Sequence, residues 1–311
     1  MNKKQIYNIL LKSSGFILLI LILLRLDIQQ ITDNLVNINF IAISPLFFLF
    51  LCIMYLKTQR FKILLVNSGI NIAGQNLFSI YAGSFLPGAI TPGRIGEVIK
   101  YKMIKGKNND NNLKFTLSVQ DRIWDVSFVL LIGSLFFFYV INNMFYILFI
   151  LPFVLLFIFT SFWPETIIQA MASLLSKYFS NSSFAKKINN LSKRIIKLSP
   201  KHLAGCLIFT IISWLIYFFQ AYLLFSATGL TYSFVFLSCV IATAGLIALL
   251  PISIAGIGTR DLALVGLFSL SGKSPETGIV LSACLLLIFL ANCIISLPFW
   301  MYESRSIATP V

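Results

Sequence analysis

The chain has 311 residues, of which 58% are hydrophobic and 11% are charged, and its mean hydropathy is +0.91. Soluble domains carry about 25% charged residues, so this composition excludes a soluble globular protein and predicts an all-α, polytopic membrane protein. The formal net charge is +14, but the cations flank apolar segments and do not form one aromatic-interleaved groove, which argues against a nucleic-acid partner.

Six apolar segments are each long enough to predict a full membrane span. Two further regions, 76–107 and 231–272, are interrupted by proline and glycine. Each predicts a re-entrant or broken helical hairpin that need not cross the membrane completely. The predicted spans are residues 13–28, 40–56, 116–141, 145–163, 203–228 and 277–301.

Charge predicts the orientation, because lysine and arginine collect on cytoplasmic flanks. The loops 29–39, 142–145 and 229–233 contain neither residue, whereas basic groups lie around Lys57 and Lys100. We therefore expect a multi-pass protein of the cell (inner) membrane with both termini in the cytoplasm. The two hairpins then enter from opposite faces, which is an inverted-repeat arrangement.

The chain is predicted to form a single membrane domain over residues 1–311. Its first half is 1–163 and its second half is 202–311, and a basic connector, 164–201, joins them. The connector predicts either an amphipathic helix on the inner leaflet or a solvated link.

The two interrupted hairpins share one register. The first motif is residues 86–97 and the second motif is residues 250–261, and Glu97 and Asp261 are 164 residues apart, as are their prolines. Matched breaks in two halves are typical of transporter binding sites, although turns and close helix packing also use proline and glycine. The predicted hinges or helix breaks are Pro87, Pro92 and Pro251.

Each motif combines glycines with one arginine at the predicted start of a helix. Helix N-termini attract anions, and glycine lets the backbone approach a ligand closely. We expect helices over 98–105 and 259–270 to begin at these glycines. The pattern predicts a site for a phosphate-bearing headgroup. The predicted headgroup ligands are Gly93, Arg94, Gly96, Gly256, Gly258 and Arg260.

Acidic residues accompany these arginines. A charge at bilayer depth costs roughly 2.5–3.5 kcal/mol unless it is paired or hydrated, so the acids are expected to compensate the arginines in the empty site. A third polar group begins span 116–141 and indicates either gating or an ion cluster at a cytosolic helix end. The predicted charge-pairing or gating residues are Glu97, Asp121, Arg122, Asp125 and Asp261.

Two later polar residues, Gln220 and Asn292, indicate either cavity lining or hydrogen bonds between helices. No catalytic constellation, metal-ligand cluster or nucleotide-binding loop is present in the sequence, so neither a metal nor a cofactor is predicted. The five cysteines are scattered through apolar segments and are expected to act as small hydrophobic residues.

Three segments, 86–100, 118–122 and 250–261, resemble the lysylphosphatidylglycerol synthase transmembrane-region family, also called flippase-like membrane proteins. Asp121 and Asp261 stand where glutamate is expected in many relatives. The resemblance implies a protein that moves an anionic-headgroup lipid between leaflets. The chain has no segment that resembles the soluble aminoacyl-transferase domain of the large synthases, so lysyl transfer by this polypeptide alone is not expected.

The resemblance also implies the partners. These are membrane lipids, either anionic phospholipids or polyprenyl-phosphate-linked lipids, and a separate glycosyltransferase or aminoacyl-transferase. Three alternatives remain open at the level of sequence. The first is a membrane-embedded transferase in which Glu97, Asp121 or Asp261 is the base; the second is a small-solute or ion transporter; the third is an accessory subunit.

Overall fold

The computed structural model of the protein describes residues 44–70, 72, 74–105, 110–136, 198–249 and 256–308, and the isolated positions 24, 26, 29, 32, 33, 140, 151 and 154. Within this part, every regular element is a helix. The predicted spans 13–28 and 145–163, and most of the connector 164–201, lie outside the described residues.

Eight α-helices belong to the described part of the chain. A 3₁₀ segment, Pro92–Ile99, follows the second helix and is called the kinked turn. The helices are α1 (Ser44–Asn67), α2 (Leu77–Ile90), α3 (Lys100–Met103), α4 (Asn111–Ser134), α5 (Pro200–Ser226), α6 (Phe234–Ala248), α7 (Thr259–Leu270) and α8 (Pro275–Ala308).

Two of the described helices, α5 and α8, are long and apolar enough to cross a membrane, over Pro200–Ser226 and Pro275–Arg305. They correspond to the predicted spans 203–228 and 277–301. Helix α1 has 24 residues and a rise of about 36 Å, but it carries charged residues in its second half. Its predicted end at residue 56 is wrong, because the helix continues to Asn67.

The helices that flank the two motifs are short. Helix α2 has 14 residues, α6 has 15 and α7 has 12. Their lengths are about 21, 22 and 18 Å, whereas the hydrocarbon core is about 30 Å thick. Each of them is therefore too short to cross the membrane alone.

Two predictions about the first hairpin are corrected. Helix α2 continues through Pro87 to Ile90, so the break lies at Thr91 and not at the proline. Pro87 is tolerated because a proline near the C-terminal end of a helix removes only one hydrogen bond. The helix predicted over 98–105 is instead the end of the kinked turn followed by the single turn α3.

Polar residues before the apolar segments start several helices. Asn76 accepts a hydrogen bond from the Ser79 amide (3.1 Å) at the start of α2, and Ser233 accepts one from the Phe236 amide (3.2 Å) at the start of α6. Such N-caps satisfy backbone donors that have no partner within the helix. They fix where each hairpin begins.

Two apolar clusters pack the helices together. The cluster around α6 and α7 includes Phe236 and Phe268, whose ring centroids are 5.6 Å apart. The cluster around α1 and α2 includes Phe61 and Tyr81, with centroids 5.9 Å apart. The candidate site lies where these two clusters meet. Three cysteines are buried in the clusters, as predicted: Cys206, Cys239 and Cys284.

Candidate functional site

The first motif leaves helical geometry at the kinked turn. Thr91 is extended, and Gly93 (φ 63°) and Arg94 (φ 56°) have left-handed backbone. Arg94 is the one non-glycine residue with a positive φ in the described part of the chain. A Cβ atom at Gly93 would lie 3.1 Å from the Leu249 carbonyl oxygen, so glycine lets the turn approach the end of α6. The Arg94 guanidinium lies over the ring of Phe85, 5.4 Å from its centroid.

Gly96 packs inside the same turn. A Cβ atom there would collide with the Pro87 carbonyl oxygen of α2. The Gly96 amide already donates to the Thr91 hydroxyl oxygen at 2.7 Å. The expectation that Gly96 binds a headgroup is therefore corrected, because its N–H group is occupied and its small size serves the packing of the turn.

Glu97 links the kinked turn to α4. Its Oε2 atom accepts a hydrogen bond from Arg122 Nη1 at 2.7 Å, and its Oε1 atom lies 3.9 Å from Arg94 Nη1. The Glu97 side chain is nearly buried, whereas 40% of the Arg94 side chain is exposed. Glu97 is thus shared between two arginines and lies closer to Arg122.

Asp121 holds four helices together. Its carboxylate accepts hydrogen bonds from Arg60 Nε of α1 (2.8 Å), from the Tyr81 hydroxyl of α2 (2.7 Å) and from Lys100 Nζ of α3 (2.5 Å). The side chains of Arg60, Lys100 and Asp121 are all fully buried. Because these contacts saturate the carboxylate inside the protein, the geometry favours a structural role for Asp121 over the predicted gating role.

Asp125, one helical turn further along α4, extends the same network to α5. Its Oδ1 atom accepts from Arg60 Nη1 (2.9 Å) and from Trp214 Nε1 (3.0 Å), and its Oδ2 atom accepts from Lys57 Nζ (3.0 Å). The Lys57 ammonium also lies 4.9 Å from the centroid of the Trp214 ring. Asp125 therefore fixes the position of Lys57.

Sequence reasoning missed three cations of this network. Lys57, Arg60 and Lys100 were assigned to a cytoplasmic flank, where basic residues usually accumulate. The apolar residues Phe61 and Leu64 continue the helical spacing beyond position 56, and both are buried. That periodicity is the signal that places the cations inside a helix rather than after it.

The second motif ends at the start of α7, at Thr259 as predicted. Gly256 (φ 76°) and Gly258 (φ 82°) have left-handed backbone. The Gly258 amide donates to Asp261 Oδ2 at 2.8 Å, so it is not free for a headgroup, and the predicted ligand role of Gly258 is corrected. Pro251 lies outside the described residues.

Arg260 is held by α8. Its Nη2 atom donates to the carbonyl and hydroxyl oxygens of Ser282, both at 3.3 Å, and lies 3.7 Å from Asp261 Oδ1. Asp261 Oδ1 also accepts a hydrogen bond from the Ser282 hydroxyl. The Arg260 Nε atom is buried and has no hydrogen-bond partner among the described residues. Arg260 thus keeps one donor available.

The two motifs meet at one cavity of about 150 Å³. A buried water needs about 10–15 Å³ on this scale, so the cavity has room for on the order of ten waters. Gly93 and Gly256 bring backbone from both motifs to its wall. The charged wall residues are the cations Lys57, Arg94, Arg122 and Arg260 and the carboxylates Glu97 and Asp125, which leaves a formal surplus of two positive charges.

The rest of the wall is largely apolar. Phe50 and Phe85 contribute from the first half, and Ile241 and Leu285 contribute from the second. A cationic cavity with an apolar border matches an amphiphile that has an anionic group at one end. The geometry therefore favours binding over acid–base catalysis, because each carboxylate near the cavity is already paired with a cation.

The two later polar residues have different positions. Gln220 is buried and donates from Nε2 to the Leu46 carbonyl oxygen at 2.9 Å, so it ties α5 to the start of α1. Asn292 lines the cavity from α8. Of the two alternatives that the sequence left open, the hydrogen bond between helices applies to Gln220 and the cavity lining applies to Asn292.

Comparison with known proteins identifies the family. The family model described as "Lysylphosphatidylglycerol synthase TM region" matches residues 9–297, which is most of the chain. No match was found among curated proteins or among solved structures. The extent of the family match confirms the resemblance in the sequence, and this membrane protein therefore belongs to the lysylphosphatidylglycerol synthase TM region family.

Proposed function

We propose that this protein moves a lipid with an anionic headgroup, either a phospholipid or a lipid-linked precursor, between the leaflets of the cell membrane. The observation that carries the proposal is the meeting of both interrupted motifs at one cationic cavity. Arg94 comes from the first motif and Arg260 from the second, although they are 166 residues apart in sequence. A wall assembled from two distant glycine–arginine motifs is the arrangement expected of a transport site.

Electrostatics supports an anionic ligand. The wall has two more cations than carboxylates, and surplus charge in an apolar surrounding is costly without a counterion. Arg260 Nε supplies a donor with no partner among the described residues, and Arg94 is partly exposed. A phosphate oxygen would satisfy both features.

The proposed arrangement in the membrane follows from the helix lengths. The short helices α2, α6 and α7 form two hairpins that enter from opposite faces, between six full spans. The halves 1–163 and 202–311 then constitute an inverted repeat, with both termini in the cytoplasm. The common spacing of 164 residues between the motifs supports this symmetry.

In the proposed mechanism, the cavity lowers the barrier to moving a charged headgroup through hydrocarbon. The headgroup phosphate contacts the two arginines in turn as it passes along the cavity, while the acyl chains remain in the bilayer. Glu97 pairs with Arg122 in the empty site and keeps the cations tolerable until the lipid arrives. The apolar wall residues border the acyl chains.

Leaflet exchange in liposomes tests the proposal. Purified protein is reconstituted with fluorescent phosphatidylglycerol, and the fraction of lipid that becomes accessible to an external quencher is followed with time. We expect Arg94→Ala combined with Arg260→Ala to slow exchange at least about tenfold, because a hydrogen bond to a charged group contributes about 1.5–3 kcal/mol. Lys201→Ala is the matched control, since Lys201 is exposed at the start of α5.

Equal rates for wild type and the double arginine variant would refute the proposal. Uptake of a soluble anion into lipid vesicles without lipid exchange would instead identify a solute transporter. Product formation from a sugar or aminoacyl donor would identify a transferase. Exchange that requires an added enzyme would identify an accessory subunit.

A further inference from the structure

Helix α8 presents one polar side chain to the cavity. Leu285, Ile288, Phe289 and Asn292 all line it, at the spacing of one helical face. Asn292 is 4% exposed, and its Oδ1 atom has no hydrogen-bond partner in the described part of the chain. Buried polar groups are normally paired, so an amide left open on a cavity wall indicates a ligand that completes it.

Asn292 lies near Arg94. The Arg94 guanidinium lies over Phe85, and the ring of Phe85 is 6.5 Å, centroid to centroid, from that of Phe289. Phe289 precedes Asn292 by one turn of α8, so the amide and the guanidinium border the same part of the cavity. One turn beyond Asn292, the buried Ser296 hydroxyl also has no partner among the described residues.

These groups differ in what they bind. A guanidinium donates to phosphate oxygens, whereas an amide both accepts and donates. A hydroxyl group matches an amide, because it too donates and accepts. A bare phosphate or a phosphate with an alkyl substituent would leave the Asn292 carbonyl oxygen unpaired.

We propose that Asn292 forms a hydroxyl-recognising subsite beside Arg94, which selects lipids whose headgroup phosphate carries a hydroxylated substituent. The proposal rests on the proposed function, because it assigns the anionic lipid to this cavity. It makes Asn292 a specificity-determining residue. The substituent is a linear polyol or a sugar-like ring, which share this hydroxyl chemistry.

A binding competition tests the subsite. The purified full chain is incubated with equal amounts of phosphatidylglycerol and phosphatidylpropanol, and the retained lipids are measured by native mass spectrometry. Both headgroups carry one negative charge and three carbons, but the propanol headgroup has no hydroxyl. We expect about tenfold preferential retention of phosphatidylglycerol. In a further competition, phosphatidylinositol distinguishes a ring from a linear polyol.

The variant Asn292→Leu keeps the volume and removes the amide, and we expect it to retain the two lipids equally. Gln220→Leu is the matched control, because it removes a buried amide that does not line the cavity, and it should keep the preference. Asn292→Ser restores a polar atom and should recover part of the preference. It also serves as the second variant if the leucine disturbs folding.

Equal retention of the two lipids by wild type, or a tenfold preference that persists in Asn292→Leu, would overturn the subsite. Retention of neither lipid would also overturn it. The binding preference is measured without transport. A preference that persists in a protein without leaflet exchange would therefore contradict the proposed function and leave the subsite standing.

Discussion

Replacing Asp121 by asparagine tests whether the buried ion network holds the helices together. The carboxylate pairs with Arg60 and Lys100 and accepts from Tyr81, and the three ionic side chains are fully buried. Removing one partner of a buried ion pair costs about 3–5 kcal/mol, because it leaves an uncompensated charge. Native proteins are stable by only about 5–15 kcal/mol, so the loss is large.

The expected result is a fall in the apparent Tm of about 6–10 °C, at about 2 °C per kcal/mol. The assay is thermal unfolding of the purified protein in detergent, with aggregation measured by size-exclusion chromatography. Glu276→Gln is the control, because this carboxylate lies at the start of α8 outside the network. It should change the Tm by less than about 2 °C.

A second variant separates charge from shape. Asp121→Asn combined with Lys100→Met restores the charge balance of the network, while the asparagine carbonyl still accepts from Arg60 or Tyr81. We expect the double variant to be more stable than Asp121→Asn alone. A Tm for Asp121→Asn within about 2 °C of wild type would refute the reasoning.

Two further predictions concern the first motif. Gly96→Ala should lower the apparent Tm by several degrees, since the added Cβ collides with the Pro87 carbonyl oxygen, whereas Gly266→Ala in α7, with open space around it, should leave it unchanged or raise it; equal values for both variants would contradict the packing role. Glu97→Gln should strengthen retention of phosphatidylglycerol over zwitterionic lipid at least about fivefold, or about 1 kcal/mol, because it raises the cationic surplus of the cavity and frees Arg122. Unchanged retention in native mass spectrometry would show that Glu97 does not compete with the headgroup.

Much of the helical framework follows from the sequence. Helices α5 and α8 lie in long uncharged runs, so their hydrophobicity alone locates them. Helix α7 begins at Thr259 because the glycines before it adopt left-handed backbone, which ends one segment and starts the next. Arg94 and Arg260 border one cavity because the two motifs occupy corresponding positions in the halves.

The ion network could not be predicted in the same way. Arg60 and Lys100 look like flanking residues when charge is counted along the chain, and only tertiary packing brings them to Asp121. Gly96 and Gly258 share the pattern of their neighbours, but their amides are occupied within the motifs. Sequence patterns identify a glycine-rich helix start and do not tell which N–H group remains free.

The left-handed backbone of Arg94 has a consequence for natural and engineered variants of this chain. An L-residue in this conformation costs about 1–2 kcal/mol, and glycine would remove that cost. Arg94→Gly would therefore relax the turn and simultaneously delete the guanidinium above Phe85. Variants selected only for thermal resistance are expected to gain glycine here, and those selected for lipid handling are expected to keep arginine.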